Sequence, residues 1–149
     1  MTLRMALVAA SLAFLVTGCN PHRGEGNGGV PGDRDSHKPF AAIAATDTVH
    51  FAGTEPFWSG QARGATLTYA TPATPDGTEF AVRRFGGRNG LGLSGTLQDK
   101  TFDMTVTPGA CSDGMSDRRY PFTVTLRIGE EVRQGCGWTN RKGFTQPQS

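Results

Sequence analysis

Tyr120-Pro121-Phe122-Thr123-Val124-Thr125-Leu126-Arg127-Ile128 alternates from end to end. Tyr120, Phe122, Val124, Leu126 and Ile128 fall on one side of an extended chain, with Thr123, Thr125 and Arg127 on the other. Successive side chains of a strand point to opposite faces, so this period of two specifies a half-buried β-strand. The pattern repeats on either side. Thr101–Thr107 places Phe102, Met104 and Val106 together, Thr66–Thr71 alternates, and Val132, Cys136 and Trp138 share a face of the following segment. Turn signals separate the runs at Pro75-Asp76-Gly77, Arg88-Asn89-Gly90, Gln98-Asp99-Lys100 and Ile128-Gly129-Glu130. Eight strands are expected, near 48–52, 57–63, 65–71, 78–85, 91–97, 101–107, 119–128 and 131–138. Strands at this spacing predict an all-β domain, an antiparallel meander closed or nearly closed into a small barrel, with a two-sheet sandwich as the alternative. No amphipathic helix of useful length separates them, which argues against a βαβ fold. Phe40–Ala45 reads as a short helical turn or as more of the segment before it.

Composition agrees. Of 149 residues, 21 are Gly and 9 are Pro, well above the roughly 12% usual for the two together. Neither residue suits helix interiors, so a coiled coil or helical bundle is excluded. The formal net charge of +2 lacks the basic footprint of a nucleic-acid binder, so no nucleic acid is expected as partner.

The N-terminus has a different texture. Arg4 precedes an apolar run from Met5 to Val16, too short to span a bilayer, and Leu15-Val16-Thr17-Gly18-Cys19 follows. This junction resembles the lipobox of bacterial lipoproteins. The resemblance implies a signal peptide over 1–18, cleavage before Cys19, and acylation of Cys19 as a membrane anchor. Asn20 in place of Asp at the next position implies sorting to the outer membrane. The stretch 19–39 holds Gly24, Gly26, Gly28, Gly29 and Gly32 but a single aliphatic residue, Val30, so it reads as a lipidated N-terminus with a flexible tether. His22 and His37 read as solvated spacer residues. The domain then occupies 40–149, with a short disordered C-terminus.

With Cys19 acylated, Cys111 and Cys136 remain. Export removes them from the reducing cytosol, so they are expected to form one disulfide. Zinc would need two further ligands, and His50 is the only histidine in the domain, so no metal is expected. Gly90-Leu91-Gly92-Leu93-Ser94-Gly95 matches a dinucleotide fingerprint in letters alone. The helix that would receive the pyrophosphate is missing, since Thr96-Leu97-Gln98 reads as strand, and no cofactor is expected.

Two segments stand out as candidate binding loops. In Gly53-Thr54-Glu55-Pro56-Phe57-Trp58-Ser59, a strand starting at Phe57 turns its two aromatics to opposite faces, leaving Glu55 and Trp58 as candidate contacts at a rim. The bland alternative has the aromatics plugging one end of the barrel. In Cys111–Pro121, the candidates are Asp113, Met115, Asp117 and Arg118. The alternative is a disulfide-pinned loop whose Asp and Ser side chains satisfy backbone donors, with Arg118 paired to Asp113 or Asp117. Ser112 or Ser116 with His50 does not have the spacing of a nucleophile elbow. Arg83, Arg84 and Arg88 form a small basic patch suited to weak attraction to anionic polymers.

Gly53–Ser59 together with Cys111-Ser-Asp-Gly-Met-Ser-Asp-Arg-Arg-Tyr-Pro121 resembles a group of uncharacterised proteobacterial envelope lipoproteins, over about Phe51–Cys136. That group is loosely similar to small β-domains of the META type and of the membrane-bound lysozyme inhibitors. The inhibitors carry a Ser-Gly-x-x-Tyr loop. Here Ser94-Gly95 is followed by Thr96-Leu97-Gln98 with no Tyr. The expected protein is a lipoprotein of the outer membrane, on its periplasmic or surface side. Its domain binds an envelope protein, a polymer or a small ligand without catalysis. An envelope-defence inhibitor of lysozyme or a protease, or a hydrolase of unfamiliar chemistry, are the alternatives.

Overall fold

The computed structural model describes residues 38–146. Cys19, the export segment and most of the tether, His22 and His37 included, lie outside the described residues. Eight strands follow one another: β1 (Val49–Thr54), β2 (Phe57–Arg63), β3 (Thr66–Thr71), β4 (Thr74–Gly86), β5 (Leu91–Leu97), β6 (Lys100–Cys111), β7 (Tyr120–Ile128) and β8 (Glu131–Thr139). Each pairs antiparallel with the next, and β8 pairs with β1, closing an up-and-down barrel. The sandwich is excluded, because closure leaves no open sheet edge.

Period two places the apolar side chains inside. Phe51, Leu67, Phe102, Met104, Phe122 and Leu126 fill the interior with almost no exposed surface. The outward positions of β7 are Thr123, Thr125 and Arg127. A barrel apolar inside and polar outside is the inverse of a membrane-spanning one.

Two strands differ from expectation. Pro75-Asp76-Gly77 is not the turn before β4. The turn is Pro72-Ala73, and Pro75–Gly77 forms a bulge in β4 opposite β3, with Gly77 at a φ of 79°. Proline cannot donate to a ladder but is tolerated at a bulge, so β4 starts earlier. β6 likewise continues through Pro108 to Cys111, with a register shift between those residues where it faces β7.

That shift moves Tyr120. Alternation assigns it to the same face as Phe122, yet Tyr120 is buried outside the core, against the rings of Trp138 and Phe144. Pro121 and the extra residue in β6 break the alternation there. The face shared by Val132, Cys136 and Trp138 also proves to be the outer one. Phe122 pairs with Gly137, Val124 with Gly135 and Leu126 with Arg133, so the odd residues of β8 face inward.

The chain ends close one rim. Phe40–Ala45 forms neither a helix nor tether: Ile43 is buried in the core, and the Arg84 guanidinium donates to the carbonyls of Ile43 (3.2 Å) and Ala44 (2.7 Å). Asp47, its side chain 3% exposed, accepts from Arg141 Nε at 2.6 Å and Nη2 at 2.7 Å. The Arg141 hydrogen bond, aided by the Ala44 amide, holds the Asp47 carboxyl below its ordinary range. After β8 the chain stays bound as far as Thr145, which exchanges backbone hydrogen bonds with Arg119. The ordered body therefore extends past the last strand.

A groove beneath a disulfide-clipped arm

The β6–β7 connection is an arm on the outer wall. It leaves β6 at Cys111, and the Cys111–Cys136 disulfide fastens it across β7 to β8, with Cα atoms 5.6 Å apart. Asp113 organises the turn beyond the bridge. Its Oδ1 accepts from the amides of Met115 (3.0 Å) and Ser116 (2.8 Å), and its Oδ2 accepts from the hydroxyls of Ser116 (2.8 Å) and Tyr120 (3.1 Å). This is an Asx turn completed by a tyrosine, and it satisfies donors that a short loop otherwise leaves to solvent.

Those bonds favour the ionised carboxylate. The Ser116 amide and hydroxyl, then the Met115 amide and the Tyr120 hydroxyl, lower the Asp113 pKa to about 2. A depressed carboxylate contributes stability above its unfolded value and loses it as pH falls through the folded one. Arm stability is therefore expected to fall between about pH 4 and pH 2. Asp113→Asn should flatten that dependence, read as amide exchange at Met115 and Ser116 against pH.

Beneath the arm lies a groove of about 410 Å³. Thr54 of β1, Thr123 and Thr125 of β7 and Gln134 of β8 line it, with Ser112, Asp113 and the disulfide along the arm. The Thr54 hydroxyl donates to the Asp113 carbonyl at 3.4 Å, so the arm reaches from β8 across to β1. With both Asp113 oxygens engaged, the groove offers neutral hydroxyl and amide groups. Such a surface can hydrogen-bond an uncharged polar ligand but holds no carboxylate ready to exchange a proton.

The candidate residues separate. Asp113 reaches the groove, as the organiser of its roof. Met115 stands 69% exposed on the arm, and Asp117 is exposed beside it. Arg118 pairs with neither aspartate, because its guanidinium lies over the Phe144 ring, 4.5 Å from the centroid. Glu55 is exposed in the β1–β2 turn, after which comes a cis Glu55–Pro56 bond. Trp58 corrects the expectation of a rim contact. It is 3% exposed and packs inside the barrel on Phe51 and Tyr69, while Phe57 faces outward at 54% exposure. Residue 57 begins the strand, so the second aromatic falls on the inner face. The indole fits because Gly53 and Gly135 flank it: a Cβ on Gly53 would lie 2.2 Å from Trp58 Nε1, and one on Gly135 would lie 2.9 Å from Cζ2.

Other motifs resolve as structure. Leu91–Gly95 forms the start of β5, Gly90 belongs to the connection before it, and Gly92 lies directly under the Phe85 ring. Arg83 faces out and Arg84 in, so these neighbours do not form one patch. Ser116 donates to Asp113 while His50 stacks on Trp138, centroids 5.4 Å apart, and no hydrogen bond joins His50 to a serine among the described residues. The groove threonines and Gln134 carry no distinguishing motif, and their alternation with core residues is the only signal. No family model matches this chain, and neither a curated protein nor a solved structure matches it.

Proposed function

We propose that this chain is a lipid-anchored protein of the bacterial outer membrane, and that its barrel binds an uncharged polar ligand in the groove beneath the arm without catalysis. The anchor rests on the lipobox-like junction at Cys19, and the resemblance of Gly53–Ser59 and Cys111–Pro121 to envelope lipoproteins supports the same placement. The observation that carries the binding reading is the disulfide-clipped arm, which roofs a hydroxyl- and amide-lined groove on a barrel whose interior is filled. A wall that serves only to fold has no need of a preorganised roof. Suitable ligands are a glycan segment of an envelope polymer or an extended peptide backbone.

Two measurements test this. Cys19→Ala should move the protein from the membrane to the soluble fraction of cells washed at about 300 mM salt, and membrane association that survives the wash would refute the anchor. Retention on envelope glycans or peptides should fall about fivefold for Gln134→Ala and again for Thr125→Ala, because each removes one neutral hydrogen bond of about 1 kcal/mol. Equal retention by both variants would place the ligand elsewhere.

Met115 favours a second reading. A large apolar side chain held 69% exposed on a stiffened arm suits insertion into an enzyme cleft, as an inhibitor of lysozyme or a protease requires. Titration of lysozyme and envelope proteases with the purified protein decides it. Activity unchanged at micromolar concentrations eliminates inhibition of those enzymes.

A further inference from the structure

Strands of an up-and-down barrel run alternately, so its connections sort to two rims. The β1–β2, β3–β4, β5–β6 and β7–β8 turns share one rim. The other holds the β2–β3, β4–β5 and β6–β7 connections and both ends of the described chain. The charges sort with them. At the second rim, Lys38, Arg63, Arg88, Arg118, Arg119 and Lys142 are exposed and have no ion-pair partner among the described residues. Arg141 there is paired with Asp47, Asp113 is engaged within the arm, Asp117 is the remaining acid of the rim connections, and Glu79 lies on the wall near Arg63. At the opposite rim, Glu55, Asp76, Asp99 and Glu130 lack ion-pair partners among the described residues, Glu131 is paired with Arg133, Arg127 just inside the rim is paired with Asp103, and Lys100 is the one exposed base without an ion-pair partner. The formal charge of +2 conceals a barrel positive at one rim and negative at the other.

The positive rim has a second property. Trp138, stacked on His50, and Phe144, beneath Arg118, are half-buried aromatics at the end of β8 and just beyond it. Aromatics among Lys and Arg side chains suit the headgroup level of a bilayer, where the ring meets the apolar boundary and the cations meet phosphate. Lys38, the first described residue, lies at this same rim, two residues before Phe40, whose amide donates to the Gly87 carbonyl of the β4–β5 connection.

We infer that the rim carrying Lys38, Arg88, Arg119 and Lys142 docks the barrel on an anionic phospholipid surface. This rests on the lipid-anchor reading only for its biological setting. An anchor through Cys19 raises the local lipid concentration, and the charge polarity then orients the barrel with its acidic rim away from the membrane. The arm groove lies on the side wall and stays open to ligand in that pose.

The test uses the chain from residue 19 onward with Cys19→Ser, which keeps every core residue from Ile43 to Leu126 but has no acyl anchor. Phosphatidylglycerol vesicles should bind it and phosphatidylcholine vesicles should not, with binding falling steeply from about 50 to about 300 mM salt as the Debye length shrinks. Arg88→Glu/Arg119→Glu/Lys142→Glu should weaken binding at least about tenfold, since each cation near an anionic surface contributes a severalfold factor. Glu55→Lys/Glu130→Lys at the opposite rim should not weaken it. Brominated phosphatidylglycerol should quench fluorescence in the parent chain, and Trp138→Phe should abolish the quenching. Equal binding to both vesicle types, salt-independent binding, or retention on an anionic polysaccharide without vesicle binding would each overturn the inference. The wild-type salt series is decisive even if the triple variant fails to fold. Release from cell membranes on Cys19→Ala with no vesicle binding would sink the docking surface and leave the anchor standing.

Discussion

Trp58→Ala is expected to lower the stability of the barrel by about 4 kcal/mol, within the range for deleting a large buried aromatic. Phe57→Ala, one residue away, should cost less than about 1 kcal/mol. The contrast follows from which face each ring occupies. Trp58 is 3% exposed and packed on Phe51 and Tyr69, in a slot made by Gly53 and Gly135, whereas Phe57 is 54% exposed. The surrounding barrel is closed by hydrogen bonds on every strand, so it cannot collapse easily into the vacated space. Trp58→Phe supplies a finer test. The indole Nε1–H is buried without a hydrogen-bond partner, and such a donor costs about 1–3 kcal/mol. Phenylalanine removes that burden along with part of the packing, so it should retain most of the stability. Urea unfolding of the three variants measures all of this. A loss below about 1 kcal/mol for Trp58→Ala would show that the indole is not part of the core.

The second large effect concerns the disulfide. Cys111 and Cys136 are 25 residues apart in sequence, and closing a loop of that size restrains the unfolded chain by about 3.5 kcal/mol. Cys111→Ser/Cys136→Ser should lose about that much, roughly 15 °C in Tm for a domain near a hundred residues. The barrel itself should persist, because neither sulfur belongs to the interior cluster and the β7–β8 ladder pairs Phe122–Ile128 with Glu131–Gly137 without the bridge. The damage should concentrate on the arm. Amide protection from Ser112 to Arg119 should collapse first, and with it the ligand retention proposed for the groove, while Val124 and Leu126 stay protected. Uniform loss of protection across β7 would show instead that the bridge holds the barrel together.

The strands are legible because burial on one side of a sheet imposes a period of two, and the longer ones display it over several residues. The groove is not. Thr54 on β1, Thr123 and Thr125 on β7 and Gln134 on β8 are ordinary outward residues, distant in sequence. They become a site only because β8 pairs with β1 and the arm crosses above them. Asp113 is visible as a candidate, but its role comes from Tyr120, which alternation sends inward and a bulge sends outward. Trp58 escapes sequence reasoning for a simpler reason. A two-residue aromatic pair has one inner and one outer member, and only the register that sets Trp58 opposite Gly53 and Gly60 opposite Phe51 says which.

Sequence alone determined an all-β domain of eight strands, one disulfide between Cys111 and Cys136, and a lipobox-like N-terminus, because each follows from local pattern or from chemistry that needs no partner in space. Tertiary structure decided that Cys136 and Trp138 face outward, that Ile43 plugs a rim, and that the charges segregate between rims. Alternation says which residues share a face. It takes closure of the barrel to say which face is the inside.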